Sequence, residues 1–334
     1  MIYTPTSFAQ TYRAPAWLPG GNLQTIWAAR LSRHHLAGEV LPWQRERWDT
    51  PDGDFIDVDH LQTPADADAA RPHLVLFHGL EGSSASQYAL AFASVARARG
   101  WAFSVPHFRG CSGEMNRAPR AYHSGDFEEI DWILRRLRAS SAGPLRVVGI
   151  SLGGNALLRW AQEAGDSAAA LVSAVATVCS PIDLSAAGYA IDRGFNWLVY
   201  SRMFLATMKP RALAKWQQHP GLFDRDKLAA ARTLYEFDDV FTAPLHGFAD
   251  TPDYWSRASA QPHLARVRIP ALVLNTRNDP FVPAANWPHL QDVGRFVTLW
   301  QPAEGGHVGF PQGPLPSNTL AMPTAVANWL AEHS

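Results

Sequence analysis

The feature that most constrains the fold is a short strand followed at once by a helix, with a serine at the bend between them. Residues 145–150 are apolar and rich in β-branched side chains, as in a strand buried on both faces. Residues 152–160 carry apolar side chains at helical spacing, which leaves Ser151 on the bend between Gly149 and Gly153. The pattern G-x-S-x-G predicts a tight turn that lifts a nucleophilic serine clear of the sheet, with a simple helix-capping serine as the alternative.

The rest of the chain repeats this alternation of strands and helices. A Pro-Asp-Gly turn predicts a hairpin between residues 45–49 and 55–59. Further strands are predicted at residues 73–77, 101–106, 169–178, 269–274 and 295–299. Helices are predicted at residues 87–99, 124–138, 284–291 and 317–331. This order indicates an α/β fold with a mostly parallel central sheet and helices on both faces.

Two stretches depart from the alternation and define the predicted domain organisation. Residues 1–45 are rich in proline and glycine, so we expect a non-repetitive N-terminal arm packed on the core. Residues 184–268 are helical and aromatic and predict a cap inserted into a core of residues 46–183 and 269–334. The aromatic run 195–208 could form the interior of the cap, line a pocket or dock on a membrane.

Composition narrows the class of protein. The 334 residues are 47% hydrophobic, with 29 basic and 30 acidic residues and no basic run, so no nucleic-acid partner is expected. The sequence shows neither a signal peptide nor an apolar window long enough for a transmembrane helix. The two cysteines, Cys111 and Cys179, make no disulfide framework, which favours a cytoplasmic location. The 13 histidines form no metal-binding motif, so neither a metal nor another cofactor is expected.

A serine nucleophile needs a base to remove its proton and an acid to orient that base. Both partners must follow strands that end at the same edge of the sheet, in the chain order serine, acid, histidine. Asp279 follows the strand predicted at 269–274, and His307 follows the strand predicted at 295–299. We therefore predict a catalytic triad of Ser151, Asp279 and His307.

Other interpretations of these residues are open. Asp279 precedes Pro280 and could cap a turn, and His307 could be a solvated loop residue. Cys111 lies in a loop without an adjacent strand-to-helix bend, so a structural role is expected for it rather than a nucleophilic one. The competing acids and bases lie in the predicted cap or its approach or inside a predicted helix: Asp183, Asp238, Asp239, His246, His263 and His289.

Acyl transfer also needs two donors for the oxyanion that forms when a serine attacks a carbonyl. The backbone N–H of Leu152 follows the serine at a helix N-terminus, and the loop after strand 73–77 offers the N–H of Leu80. These two groups are the predicted oxyanion hole. A plain glycine-rich turn is the alternative for the second one.

With these residues in place, the chain resembles the YheT-like branch of the α/β-hydrolases. The matching stretches are GNLQTIW from residue 21, HGLEGSS from 78, FRGCSGE from 108 with YHSGD from 122, GISLGGNALLRW from 149, FDDVFTAPLHGF from 237, NDPFV from 278 and GGHVGF from 305. The resemblance implies the same triad and a carboxylic-ester substrate with an apolar acyl part. Asn278 departs from the second aspartate expected before Asp279. The stretches from 21 and 237 are expected to pack the arm and the cap against the mouth of the site.

These observations favour a serine carboxylesterase acting on short to medium-chain acyl esters, with a small apolar ester as its partner molecule. An acyltransferase or lipase acting on lipid esters would use the same triad, because water and an alcohol can both accept the acyl group. A third hypothesis is a non-catalytic binder of small molecules that reuses the fold. The sequence does not determine the oligomeric state.

Overall fold

The structure, a computed structural model, describes residues 8–32, 41–62, 64 and 67–333. Its centre is an eight-stranded sheet with the strand order β1-β2-β4-β3-β5-β6-β7-β8. The strands are β1 (Trp43–Asp49), β2 (Phe55–Leu61), β3 (His73–Phe77), β4 (Ala102–Pro106), β5 (Leu145–Ile150), β6 (Ala174–Val178), β7 (Ala271–Leu274) and β8 (Val297–Trp300). β2 pairs antiparallel with β1 and with β4, and the other pairings are parallel. The predicted mostly parallel sheet is confirmed.

The middle of the sheet determines where a site can form. Every residue of β3, β5 and β6 is buried, as expected for parallel strands covered on both faces. From β3 the chain adds β4 on one side and β5 on the other, so the direction of winding reverses between β3 and β5. Ligands bind at such a reversal, outside the carboxyl ends of the strands. Ser151 directly follows β5 at this point.

Helices cover both faces of the sheet. Outside the region between β6 and β7, the α-helices are Phe8–Thr11, Gly20–Arg30, Gln87–Ala98, Phe127–Ser140, Leu152–Ala164 and Ala321–Glu332. Ile133 and Leu157 pack in one hydrophobic cluster on one face of the sheet, and Phe92 and Val326 pack in another on the opposite face. These two clusters are the apolar interior of the core, and they hold the sheet rigid beneath the site.

The chain between β6 and β7 forms a helical region, residues 184–268, which we call the inserted segment. Its α-helices are Leu184–Ile191, Gly194–Asn196, Arg202–Gln218, Arg225–Ala230, Leu234–Phe237, Ala243–Leu245 and Thr251–Ala258, joined by π-helical turns at Trp197–Ser201 and Asp238–Thr242 and followed by a 3-10 helix at Gln261–Arg266. Leu205, Leu228 and Phe237 pack in a small core of the segment's own. Among the described helices, none combines the length and hydropathy needed to cross a bilayer.

The arm differs from the irregular chain that its prolines and glycines predict, because Gly20–Arg30 is a helix. The buried face of this helix includes the polar side chains of Gln24 and Thr25, so no apolar periodicity marks it in the sequence. Residues 1–7 and 33–40 of the predicted arm lie outside the described residues.

The helix predicted at residues 284–291 is absent. The chain there forms two single-turn 3-10 helices, Ala284–Asn286 and Leu290–Asp292. Pro288 lies between them, and a proline cannot donate the hydrogen bond that a continuous helix would need. The connection from β7 to β8 is therefore mostly loop.

Several boundaries also differ from the prediction, and two of them show the reason. The strand predicted at residues 169–178 is limited to Ala174–Val178, because Gly165–Ala170 forms a 3-10 helix. The helix predicted from residue 124 begins at Phe127. Both differences fall in stretches of mostly small or polar residues, which fit several conformations about equally well.

Candidate active site

The bend after β5 has the strained geometry that its sequence predicts. Ser151 has φ +50° and ψ −119°, an unusual conformation for a residue with a side chain, and the helix Leu152–Ala164 starts immediately after it. A Cβ atom on Gly149 would lie 2.5 Å from the Cα of Gly154, and one on Gly153 would clash with the backbone carbonyl of His78. The glycines are thus required by the close approach of strand, helix and the neighbouring loop.

The structure brings the three predicted side chains into one hydrogen-bonded line. The Nε2 atom of His307 lies 3.0 Å from the Oγ of Ser151, and its Nδ1 lies 2.9 Å from Oδ2 of Asp279. With the proton on Nδ1, the imidazole donates to the carboxylate and can accept the serine proton at Nε2. This is the geometry needed to activate a serine hydroxyl.

The carboxylate of Asp279 is held in place by the loop that carries it. Its side chain has no exposed surface. Its Oδ1 accepts the backbone N–H groups of Phe281 at 2.7 Å and Val282 at 3.3 Å, which leaves Oδ2 for His307. The ring of Phe281 packs against the imidazole with a centroid distance of 4.4 Å. The acid and the base are therefore fixed relative to each other.

The helix of the arm holds the loop that carries the histidine. The Oγ1 of Thr25 accepts the backbone N–H of His307 at 2.8 Å, and the Oε1 of Gln24 accepts the N–H of Gly305 at 2.8 Å. A Cβ on Gly306 would lie 2.7 Å from the Oγ1 of Thr25, so the arm helix and this loop can approach closely only because the residue is glycine. The sequence predicts only that this arm motif packs near the mouth of the site, because its buried polar residues leave no apolar pattern.

Asn278, which stands where an aspartate was expected, takes part in the same contact. We call this contact between the arm helix and the loops of Asp279 and His307 the clamp. The Nδ2 of Asn278 donates to the Oε1 of Gln24 at 2.9 Å, and its Oδ1 accepts the N–H of Gly306 at 2.9 Å. An aspartate could accept the second hydrogen bond but could not donate the first. Asn278 therefore ties the loop of the acid, the loop of the histidine and the arm together.

The two predicted oxyanion donors lie at the same site. Leu80 and Leu152 both line the pocket that contains Ser151. The N–H of Leu152 is at a helix N-terminus, and Glu81 bends the chain directly after Leu80 with φ +57°. Within the described chain, neither N–H is hydrogen-bonded to another protein group. Both are therefore available to a ligand.

His78 supports the loop that presents Leu80. Its Nδ1 donates to the carbonyl of Gly79 at 2.8 Å, and its Nε2 accepts the N–H of Phe108 at 3.0 Å. Complete burial, together with the nearby His107, lowers the pKa of His78 to about 3. The ring is neutral at pH 7, as the accepted hydrogen bond requires.

A pocket lies over Ser151, between the carboxyl edge of the sheet and the inserted segment. Much of its wall is apolar and comes from the segment: Leu184, Ile191, Phe204, Met208, Phe237 and Phe241. The run 195–208 is divided, because Phe204 and Met208 line the pocket whereas Phe195 and Leu198 are each more than half exposed. A small polar site beneath an apolar chamber is typical of enzymes acting on apolar substrates.

The alternative acids and bases are engaged elsewhere. Asp238 is half-buried at the pocket wall, where desolvation raises its pKa to about 6, and its oxygens accept hydrogen bonds from Thr242 and Trp255. His246 contacts the backbone carbonyls of Thr242 and Ala121. In the part of the chain that the structure describes, no hydrogen bond joins Ser151 to any of the others: Asp183, Asp239, His263 and His289.

One group of potential metal ligands overlaps the site. The ligand atoms of Cys179, Asp279 and His307 lie within 4.8 Å of one another. Burial, together with the charge of Asp279, raises the pKa of the Cys179 thiol well above its usual range, and its sulfur accepts the N–H of Val308 at 3.3 Å. The histidine and aspartate atoms already bind each other, so these residues fit a hydrogen-bonded triad better than a metal site.

The other cysteine, Cys111, is also buried and without a disulfide. Burial, with the neighbouring Glu81, raises the pKa of its thiol to about 12. A thiol that stays protonated at neutral pH is a poor nucleophile. Its location fits the structural role expected from the sequence.

Comparison with known proteins gives the family. A family model described as alpha/beta hydrolase fold matches residues 72–314. YheT of Escherichia coli, a provisionally named esterase, is 39% identical over 294 residues, which cover 87% of this chain and 85% of the relative. Phospholipase ABHD3 of Mus musculus is 30% identical over 323 residues, which cover 94% of this chain and 76% of the relative.

Solved structures share the architecture. The structure of Est1E from Butyrivibrio proteoclasticus with ferulic acid bound superposes with a TM-score of 0.55, over 86% of this chain and 98% of that one. Its sequence identity is 12%, so this likeness concerns the fold. The matched family model, over residues 72–314, covers strands β3 to β8, the bend at Ser151 and the loops of Asp279 and His307. The chain therefore belongs to the α/β-hydrolase fold family, as one of its hydrolase enzymes.

Proposed function

We propose that this protein is a serine carboxylic-ester hydrolase that cleaves short to medium-chain acyl esters through an acyl-enzyme. The observation that carries the proposal is the hydrogen-bonded line from Ser151 through His307 to Asp279, with contacts of 3.0 and 2.9 Å. The similarity to a provisionally named esterase supports the same reaction class.

In the first half of the proposed reaction, the Oγ of Ser151 attacks the carbonyl carbon of the ester while Nε2 of His307 takes its proton. Asp279 stabilises the resulting imidazolium and keeps the ring in the correct orientation. The backbone N–H groups of Leu80 and Leu152 bind the oxyanion, and one such donor is typically worth about 3 to 4 kcal/mol in the transition state. The imidazolium then gives its proton to the departing alcohol.

In the second half, water attacks the acylated Ser151. His307 removes a proton from the water, and the oxyanion forms again in the same place. Collapse of this intermediate breaks the bond between Oγ and the acyl carbon, and the proton returns to Ser151 as the carboxylic acid leaves. No external oxidant or reductant is needed.

The inserted segment acts as a cap in this proposal. Phe204 and Met208 come from its long helix and line the pocket above Ser151, where an apolar acyl chain would be removed from water. Each buried methylene contributes about 0.8 kcal/mol to binding or transition-state stabilisation. The cap, rather than the triad, should therefore determine which acyl lengths are accepted.

Lipid esters are the second candidate substrate class, with hydrolysis or transfer to an alcohol as the reaction. The apolar pocket wall favours it, and a relative with 30% identity is named a phospholipase. Adding ethanol or glycerol to the assay separates the two reactions, because a transferase forms new esters faster than free acid.

The direct test is the hydrolysis of 4-nitrophenyl butyrate by the wild type and by Ser151→Ala. We expect the variant to lose activity by a factor of about 10⁴ or more, because the nucleophile is gone. Ser167→Ala, on the exposed turn after the same helix, is the matched control and should keep full activity. Circular dichroism checks that both variants are folded. A folded Ser151→Ala protein with near wild-type activity would show that the proposal is wrong.

A further inference from the structure

We propose that Arg211 is a binding site for an anionic oxygen group, a carboxylate or a phosphate, carried by the ester substrate. The inference rests on the proposed esterase function and specifies the substrate class. It follows from where this guanidinium lies, which of its N–H groups are occupied, and how the other charged residues of the pocket differ from it.

Arg211 lies at a change of polarity along one wall of the pocket. On the helix Arg202–Gln218, the residues that line the pocket include Phe204, Met208, Arg211 and Lys215, at helical spacing. The first two are apolar and the last two are basic. A substrate lying along this helix would meet apolar side chains at one end and a charged end at the other.

Only one edge of the Arg211 guanidinium is occupied by the protein. Its Nη1 donates to the Oε1 of Glu81 at 3.1 Å and to the sulfur of Cys111 at 3.3 Å. Among the described residues, Nη2 and Nε have no hydrogen-bond acceptor, and 38% of the side chain is exposed. An arginine offers parallel N–H donors that match carboxylate and phosphate oxygens.

The other two cationic groups of the pocket wall are already satisfied. Arg109 is buried and binds carboxylates, including Asp54 at 2.8 Å and Glu129 at 2.5 Å. Lys215 is buried and donates three hydrogen bonds, including one of 2.5 Å to the carbonyl of Asn116. Neither is as open to a ligand as Arg211.

The pair with Glu81 joins Arg211 to the loop that carries Leu80. Glu81 directly follows Leu80, the proposed oxyanion donor, and its Oε1 also accepts the hydroxyl of Tyr122 at 3.1 Å. These contacts fix the orientation of the guanidinium before a ligand arrives, which reduces the entropy lost on binding. The second oxygen of Glu81 is buried and, among the described residues, unpartnered, so it offers no accessible site for a cationic group. The open edge of the Arg211 guanidinium is therefore more accessible than the carboxylate of Glu81.

Two matched pairs of esters test the proposal. One compares methyl hexanoate with methyl hydrogen adipate, and the other compares 1-butyrylglycerol with 1-butyrylglycerol 3-phosphate. The wild type should hydrolyse the charged member of at least one pair with about tenfold higher kcat/KM, as expected for a charge-assisted hydrogen bond. The pair that shows the preference identifies the anion as carboxylate or phosphate.

The variant Arg211→Gln should lose about 10- to 100-fold in kcat/KM for the preferred charged ester and less than about threefold for its neutral partner. Arg211→Lys should restore part of the preference, because it keeps the charge but not the parallel donors. Arg202→Gln, an exposed arginine of the same helix, is the matched control and should behave as wild type.

Three results would overturn the inference, and they are distinguishable. If the wild type hydrolyses all four esters without a charge preference, this proposal is wrong and the esterase function stands. If Arg211→Gln lowers charged and neutral activities equally, Arg211 only supports the loop of Glu81. If the wild type hydrolyses no ester at all, the proposed function fails, and the substrate class fails with it.

Discussion

The hydroxyl of Thr25 accepts a hydrogen bond from the backbone N–H of His307 over 2.8 Å, although 282 residues separate them in the chain. The arm therefore helps to shape the catalytic edge rather than simply covering the core. Gln24, the preceding residue, binds Gly305 and Asn278 in the same way. The loops of the acid and of the histidine are thus joined to a single helix.

Thr25→Val should lower kcat by about tenfold and leave KM nearly unchanged. Valine has the shape of threonine but cannot accept the N–H of His307, and losing one such hydrogen bond is worth about 1 to 1.5 kcal/mol. The imidazole would then spend less time aligned with Ser151. Steady-state kinetics on a neutral ester gives the measurement, and Thr207→Val, exposed on the long helix of the inserted segment, is the control. Equal kcat values for Thr25→Val and wild type would remove the positioning role.

Gly153→Ala should destabilise the fold and impair activity. The new Cβ would clash with the carbonyl of His78 on the adjacent loop, and overpacking of this kind typically costs about 1 to 3 kcal/mol. Gly100→Ala is the control, because its Cβ would enter open space, so only the strain of its φ of +67°, about 1 kcal/mol, is added. Urea unfolding and ester hydrolysis distinguish them: the control keeps its activity. A Gly153→Ala protein as stable and active as wild type would contradict the close contact between the bend and the carbonyl of His78.

The neutrality of His78 predicts a particular dependence of stability on pH. Burial lowers its pKa from 6.5 to about 3, so the unfolded state binds a proton first as the pH falls. The stabilisation is complete above pH 6.5 and decreases toward pH 3. By about pH 5 the loss is about 2 kcal/mol for this one group.

His78→Asn removes that titration while retaining one donor and one acceptor. Relative to wild type, the free energy of unfolding of this variant should therefore increase by about 2 kcal/mol when the pH is lowered from about 7.5 to about 5. His289→Asn, at an exposed position, should show no such change. Urea unfolding at several pH values measures both, and parallel pH profiles for wild type and His78→Asn would contradict the assignment.

Met208→Trp should shorten the acyl chains that the enzyme accepts. Met208 lines the pocket, so a larger side chain there would fill space that a longer acyl chain occupies. We expect the ratio of kcat/KM for octanoate to acetate esters to fall by about tenfold or more. Met203→Trp, at an exposed position on the same helix, should leave the ratio unchanged. An unchanged ratio for Met208→Trp would place the acyl chain elsewhere.

The proximity of Ser151, Asp279 and His307 can be predicted from the sequence because it depends on strands. Each residue follows a buried apolar run, and parallel strands end at the same edge of their sheet. The chain order and the short distance from each strand end then restrict the choice of acid and base. The structure brings these three side chains together, and their catalytic roles remain predictions.

The clamp formed by the arm could not be predicted in this way. Its key residues, Gln24 and Thr25, are polar side chains on the buried face of a helix, where a pattern of apolar residues gives no signal. Their partners are backbone N–H groups 281 and 282 residues away. The charged end of the pocket was missed for a similar reason, since the contact between Arg211 and Glu81 depends on how the inserted segment folds over the sheet.

Labelling with a fluorophosphonate, followed by mass spectrometry of the digested protein, tests the catalytic role of Ser151 most directly. The reagent reacts with serines that a neighbouring base activates. We predict one phosphonylated peptide, with the adduct on Ser151, and labelling slower by about a hundredfold or more when His307 is replaced by alanine. Labelling at another serine, or no labelling of folded wild-type protein at Ser151, would contradict this prediction.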